Sequence, residues 1–347
     1  MRKSAVTAIT LALVTGGGAL SAPAAGATTT TGELTIYVKP TSAQTDRAHS
    51  GLTAGDAVAS FDEAQRILRD RGVRHARILV PGGTYRPGKQ IDWTYAPAGG
   101  SVTIAPAPGT GKVVFDGSRA AAAGYFMTLT ARNSDTTVRG LEIQRYANGI
   151  YVRGTANDRV TGVTITGNRF QKLGTKHSGS GRGFAGVHIV NASRVKVTGN
   201  RFYSIENDPL PGNMHGVYLG TSAKSTTISG NRFGYVSGDP IRTRNGSDNN
   251  TASGNKFWRA GTYAVFSDWR YGTEACGKGN VFKDNQVGRT SYYGKKFGSG
   301  KQGRTDPITI KVLLWGHDAT RSANLGGCGQ APVKSGGGNK FVDSRPW

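Results

Sequence analysis

Four side chains of types that move protons or hold anions occupy matching positions in short apolar segments. They are Tyr151 in Gly149-Ile150-Tyr151-Val152-Arg153, His188 in Gly186-Val187-His188-Ile189, Tyr218 in Gly216-Val217-Tyr218-Leu219, and Arg242 in Pro240-Ile241-Arg242-Thr243-Arg244. Each follows an aliphatic residue. In an extended chain successive side chains point to opposite faces, so Ile150, Val187, Val217 and Ile241 turn inward and the four polar groups turn outward in one column. Arg153, Arg244 and Lys311, the last ending Pro307-Ile308-Thr309-Ile310-Lys311, fall in a parallel column about 7 Å along the strand. His215 and Asp239 stand just before two of these strands, and Tyr263-Ala264-Val265-Phe266-Ser267-Asp268-Trp269 adds Asp268 and Trp269 between the last two.

This set suits removal of a proton beside a carboxylate. A guanidinium binds a carboxylate in a two-pronged fork. Imidazole titrates near neutrality, and a phenol next to guanidinium groups ionises more readily, so either serves as base while the other protonates a leaving oxygen. The residue types leave that division open. His188, His215, Tyr218 and Arg242 are the catalytic candidates, and Tyr151, Arg153, Asp239, Arg244, Asp268, Trp269 and Lys311 are candidates for holding substrate. An inert sheet surface would be richer in Thr, Ser and Lys.

A column of this kind needs strands stacked at a constant spacing, and the chain repeats itself in a way that supplies them. The unit Thr-Ile-Thr-Gly-Asn-Arg-Phe recurs as Val163 to Phe170, Val195 to Phe202 and Thr227 to Phe233. Shorter echoes end at Phe257, Phe282 and Phe341. The asparagines Asn168, Asn200, Asn231, Asn255, Asn280 and Asn339 are separated by 32, 31, 24, 25 and 59 residues, a spacing too uneven for helical repeats of fixed length. A coil of short strands with loops of variable length accommodates it. Each strand then pairs with its counterpart in the next coil at about 4.8 Å, the asparagines stack at one turn, and a phenylalanine enters the core in every coil. The 52 glycines suit tight corners.

Ahead of the repeats lies one amphipathic helix. Ser60 is its expected N-cap with Glu63 three residues on, Phe61, Ala64, Ile67 and Leu68 form its apolar face, and Gly72 ends it. Such a helix caps the open end of a solenoid. Residues 1–27 read as an export signal, with Arg2 and Lys3 before an apolar run and cleavage expected after Ala24 or Ala27. The apolar run is too short to span a bilayer, so the expected location is outside the cell, with no membrane span. In that oxidising setting Cys276 and Cys328 are expected to form a disulfide. The remaining 28–347 is one domain, with an N-terminal cap over 34–90 and coils over about 100–345. The formal charge of +23 falls to +21 on loss of Arg2 and Lys3, which points to a polyanionic partner.

The repeats resemble those of right-handed parallel β-helix proteins of the pectate-lyase-like superfamily, in outline over residues 34–347. The resemblance implies an all-β, right-handed parallel β-helix and a substrate that is an acidic polysaccharide. Since that superfamily includes lyases, hydrolases and epimerases, the activity rests on the outward column, which suits β-elimination by a secreted lyase acting as a monomer. The superfamily's calcium-dependent members imply clustered aspartates. Asp208, Asp239, Asp248 and Asp268 are scattered, so no cofactor is expected and calcium stays an alternative. Two other readings stand beside this one. Asp208, Asp239 or Asp268 would pair in a glycoside hydrolase, for which Met214-His215-Gly216 is a fragment of the expected Gly-His-Gly turn. Tyr125, Trp258, Trp269 and Tyr271 would serve a non-catalytic module for acidic glycans. Nucleic acid is disfavoured, because no nucleic-acid-binding fold is visible.

Overall fold

The computed structural model describes residues 32–40, 48–119, 124–132, 135–179, 181–262, 264–294 and 333–347, together with the backbone of Leu314–Asp318. The export signal, Lys311 and Cys328 lie outside the described residues. Three parallel sheets run the length of the molecule, with ten, eight and nine strands among the described residues. The chain visits them in rotation. Arg169–Leu173 lies in the nine-stranded sheet, Ala185–Val190 in the eight-stranded one and Lys196–Thr198 in the ten-stranded one, and the next coil begins at Arg201–Ile205. This is the parallel β-helix expected from the repeats.

The Phe of each repeat fills the interior. Phe170, Phe202, Phe233 and Phe257 pair in register on successive strands, and their ring centroids stack 4.8 to 4.9 Å apart with planes within 5°. All four are buried. At the adjacent turn the asparagines form the expected ladder. The side-chain amide of Asn168 donates to Asn200 Oδ1 at 3.2 Å, Asn200 to Asn231 at 3.1 Å, and Asn231 to Asn255 at 3.0 Å. Beyond Asn255 the expectation fails. Its amide donates to Asn285 at 3.1 Å, and Asn285 donates to Asn339 at 3.1 Å. Asn280 belongs to a second ladder one corner away, where it accepts from Asn250 at 2.9 Å, and Phe282 lies in the ten-stranded sheet opposite Ala252. The echo Gly279-Asn280-Val281-Phe282 imitates the repeat but occupies a different side of the coil.

The helix Phe61–Asp70 forms as read, with Ser60 Oγ accepting from Glu63 N at 3.1 Å and Gly72 in the left-handed region at φ +60°. Phe61 meets Trp93 edge-on at 6.5 Å, and Gln65 satisfies the carbonyl of Asp92 and the amides of Thr94 and Tyr95. The helix thus closes one end of the core. Strands begin before it: Leu34–Tyr37 pairs with His75–Val80, so the segment read as a cap already contributes rungs to the ten-stranded sheet.

Candidate functional site

The outward column lies on the eight-stranded sheet in the register read from the alternation. Tyr151 pairs with His188, His188 with Tyr218, and Tyr218 with Arg242, while Ile150, Val187, Val217 and Ile241 are buried on the other side. One more aromatic extends it: Tyr125 stacks on Tyr151 at 4.6 Å, Tyr151 on His188 at 4.6 Å, and His188 on Tyr218 at 4.7 Å. Four rings therefore stand face to face along four coils.

The hydroxyl of Tyr125 reaches past Tyr151 to His188 Nδ1 at 2.6 Å. Burial raises the Tyr125 pKa far above its ordinary value, so the phenol keeps its proton. Nδ1 is the only hydrogen-bond partner of that hydroxyl among the described residues, so the hydroxyl donates and the ring's own proton sits on Nε2. Burial also pushes His188 down to about 3. His188 is a neutral donor at Nε2, which removes it from the candidates for base. Gly220 leaves room for it, since a Cβ there would come within 2.9 Å of Nε2.

His215 has the opposite tautomer. Its Nδ1 lies 2.8 Å from the carbonyl of Asp239, which can only accept, so Nδ1 carries the proton and Nε2 keeps its lone pair. Burial, followed by the charge of Arg242, holds its pKa well below the ordinary value. The ring lies 5.2 Å from that of Tyr218. A half-buried phenol thus stands between a histidine that donates and one that accepts.

The arginines depart from their expected role. Arg242 is only 7% exposed, its Nη2 donates to Asp239 Oδ2 at 3.1 Å, and its guanidinium stacks on Trp269 at 4.4 Å. Asp239 also accepts from Ser267 Oγ, Trp269 Nε1 and Ala264 N. Burial acts to raise the Asp239 pKa, but Arg242 and these donors outweigh it and hold the carboxyl below its ordinary value. Neither Arg242 nor Asp239 is an open binding group; together with Trp269 they form a packed wall. Arg244 is paired with Glu274 at 2.6 to 2.8 Å, lies over Tyr271 at 4.5 Å, and extends Nη1 to within 3.5 Å of the Tyr218 hydroxyl. Arg153 is exposed beside Tyr151, with its guanidinium 5.8 Å from the ring, and has no carboxylate partner among the described residues. Two coils lie between Arg153 and Arg244, with Val190 at the matching position on the coil after Arg153. They share a column without being neighbours.

Asp268, expected to hold substrate, does not reach the outer face. It instead pairs with Thr243 at an inward position, is 2% exposed, and accepts from Thr243 Oγ1 at 2.6 Å. The outward position of that strand belongs to Ser267, which pairs with Arg242. The strand that pairs with it on its far side is Leu314–Asp318. Glu274, Ser267 and the bond between Tyr125 and His188 are not legible in the sequence, because each depends on a contact between coils whose residues lie 25 to 63 positions apart along the chain.

Past the edge of the column, Phe184 lies 6.0 Å from His188 and lines a pocket of about 390 Å³ with Thr175, Arg182, Asn207, Leu210 and Asn213. Behind it Glu206 accepts from Lys176, His177 and Tyr292 at 2.7 to 2.9 Å. Among the described residues no three His, Cys, Asp or Glu side chains converge as a metal site, and no helix is long and apolar enough to cross a membrane.

Residues 128–302 match the family described as right handed beta helix region. No curated protein sequence matches the chain. Among solved structures it is similar to alginate lyase from Paenibacillus sp. str. FPU-7, at 17% identity and a TM-score of 0.52, over 76% of this chain and 78% of that one. It is also similar to pectate lyase Pel9A, at 18% identity and a TM-score of 0.49, over 80% of this chain and 74% of the other. At such identities the likeness is one of fold.

Proposed function

The chain belongs to the right-handed β-helix family, and on that premise we propose that it is a secreted lyase that cleaves a uronate-containing polysaccharide by β-elimination. The observation that carries this reading is the placement of Tyr218 between His188 and His215 with Arg244 3.5 Å from its hydroxyl. In the proposed reaction the Tyr218–His215 pair takes the proton from the carbon beside the carboxylate. The electron pair left behind forms a carbon–carbon double bond, the bond to the glycosidic oxygen breaks, and the Tyr218 hydroxyl returns a proton to that oxygen. Arg244 stabilises charge developing at the phenol oxygen. His188 donates from Nε2 to the carboxylate of the reacting sugar, and Arg153 holds that of a neighbouring sugar two coils away.

Hydrolysis by paired carboxylates fits less well. Asp239 is locked in an ion pair, Asp268 faces the interior, and Asp208 is exposed on a loop. The test is to incubate the protein with polygalacturonate, alginate and other uronic-acid polymers, with and without chelator, and follow the absorbance of unsaturated uronate. Tyr218→Phe and His215→Ala should each lower the rate by two to four orders of magnitude, roughly the worth of a positioned acid or base. Binding without cleavage of any polymer would mean a module, and saturated products would mean a hydrolase.

A further inference from the structure

The nine-stranded sheet carries a feature that the candidate site does not use. The Arg of each Gly-Asn-Arg-Phe unit points outward beside the buried Phe, and Arg169, Arg201, Arg232 and Lys256 pair in register on four successive strands. Like charges are thereby stacked about 4.8 Å apart. Glu142 heads the column 3.9 Å from Arg169, but Arg201, Arg232 and Lys256 have no carboxylate partner among the described residues. Arg201 shows the cost: burial, then the charges of Arg169, Arg345 and Arg232, depress its pKa, and its Nε is buried without a hydrogen-bond partner. Opposite charges directly across a ladder stabilise it and like charges oppose it, so this column favours a ligand that brings anions at the same repeat.

Two residues further along these strands, about 7 Å away, runs a second outward column of Gln171, Tyr203, Gly234 and Trp258. Each aromatic lies over a glycine of the next coil. A Cβ on Gly234 would meet Tyr203 at 3.0 Å, and one on Gly288 would meet Trp258 at 2.5 Å. The rings are thus laid against the backbone of the sheet. The C-terminal segment adds a third ring, as Trp347 reaches the space above Gly234 at 3.4 Å and Arg345 covers Tyr203 at 5.5 Å. Trp258 over the backbone and Trp347 above Gly234, beside a row of cations, suit sugar units that present an apolar face to the rings and a carboxylate to one side, while Tyr203 is already covered by Arg201 and Arg345.

We propose that this outer face is a second binding track for a carboxylated polysaccharide, running along the helix axis on a different sheet from the cleavage column. From the proposed function it borrows only the class of polymer. A nucleotide strand fits less well, because a sugar separates each base from its phosphate.

The test is retardation of the full chain in gels containing polygalacturonate or alginate, with single-stranded oligodeoxythymidylate as competitor. Replacing Arg201, Arg232 and Lys256 together by Gln should weaken binding about tenfold, each exposed ion pair being worth roughly a factor of two. Trp258→Ala should weaken it comparably. Arg139, Arg194 and Lys196 lie outside this face, and replacing all three by Gln removes the same charge, so that control should bind as the unaltered protein does. Turnover of a short soluble oligouronide should be unchanged in all variants, and circular dichroism with the melting temperature checks the fold. The proposal falls if the unaltered chain is not retarded, if the track variants bind normally, if the control loses as much, or if oligodeoxythymidylate binds more tightly than the polyuronates. Loss of binding in the track variants of a chain that cleaves no polymer would uphold the track and sink the lyase reading.

Discussion

The hydroxyl of Tyr125 is bonded to His188 Nδ1 across the coil that holds Tyr151, at 2.6 Å, and this bond decides which nitrogen of His188 carries the proton. Tyr125→Phe should therefore leave the stack in place and release the tautomer. Nitrogen-15 spectra should change from a single Nε2–H form to a mixture, and the cleavage rate should fall about tenfold, as one charge-assisted donor is lost part of the time. An unchanged spectrum would show that the stack alone sets the tautomer.

Arg242 is a structural cation. Replacing it with Met leaves the Asp239 carboxylate buried without its partner, which should cost about 3 to 5 kcal/mol of stability. The double variant Arg242→Met with Asp239→Asn should recover much of that loss. Urea denaturation distinguishes this from a role confined to catalysis, in which the single variant would unfold normally and be merely slow.

Burial raises the Asp268 pKa to about 7, against the opposing effect of the Thr243 hydrogen bond. The folded chain holds a proton there that the unfolded chain has released, so this group reduces stability as pH rises from about 4 to 7. Asp268→Asn should change little at pH 4 and stabilise by roughly 1 to 3 kcal/mol above pH 7. The buried histidines act in the opposite direction. His188, pushed down to about 3, stays neutral while the unfolded chain is protonated, so its contribution is full above about 6.5 and lost as pH falls toward 3. Melting temperatures of Asp268→Asn and His188→Phe across pH 4 to 8 separate the two.

Phe202 lies between Phe170 and Phe233 with no exposed surface. Phe202→Ala opens a cavity inside a continuous stack and should cost about 3 to 5 kcal/mol in equilibrium unfolding.

The expected disulfide joins Cys276 to Cys328, which lies outside the described residues. Counting thiols on the unfolded, unreduced protein should find none. If the bond is present, reduction should destabilise by about 4 kcal/mol for a loop of this length.

Side-chain alternation in strands has a strict period of two, and this is why Ile150-Tyr151-Val152 and its counterparts were enough to place the column in register. The same rule places Asp268 inside, two residues from the buried Phe266, yet a carboxylate invites an outward reading. Only its pairing with Thr243 shows how the interior tolerates it. The partners of Arg242 and Arg244 were illegible for a different reason. Asp239 lies at a strand entrance and Glu274 in a loop thirty residues beyond Arg244, where no periodicity constrains a side chain. Asn280 misled because the motif Gly-Asn-x-Phe occurs at two corners, and local sequence does not say which corner it occupies.

The asparagine ladder measures contact between neighbouring rungs and ignores contour length. Its links close across 32, 31, 24, 30 and 54 residues with amide distances of 3.0 to 3.2 Å throughout. Every amide also points the same way along the axis. A loop can therefore be lengthened, exchanged or deleted between two asparagines without disturbing the scaffold. Such a backbone is open to evolutionary tinkering at its corners, where new specificities can be trialled while the rungs stay in step.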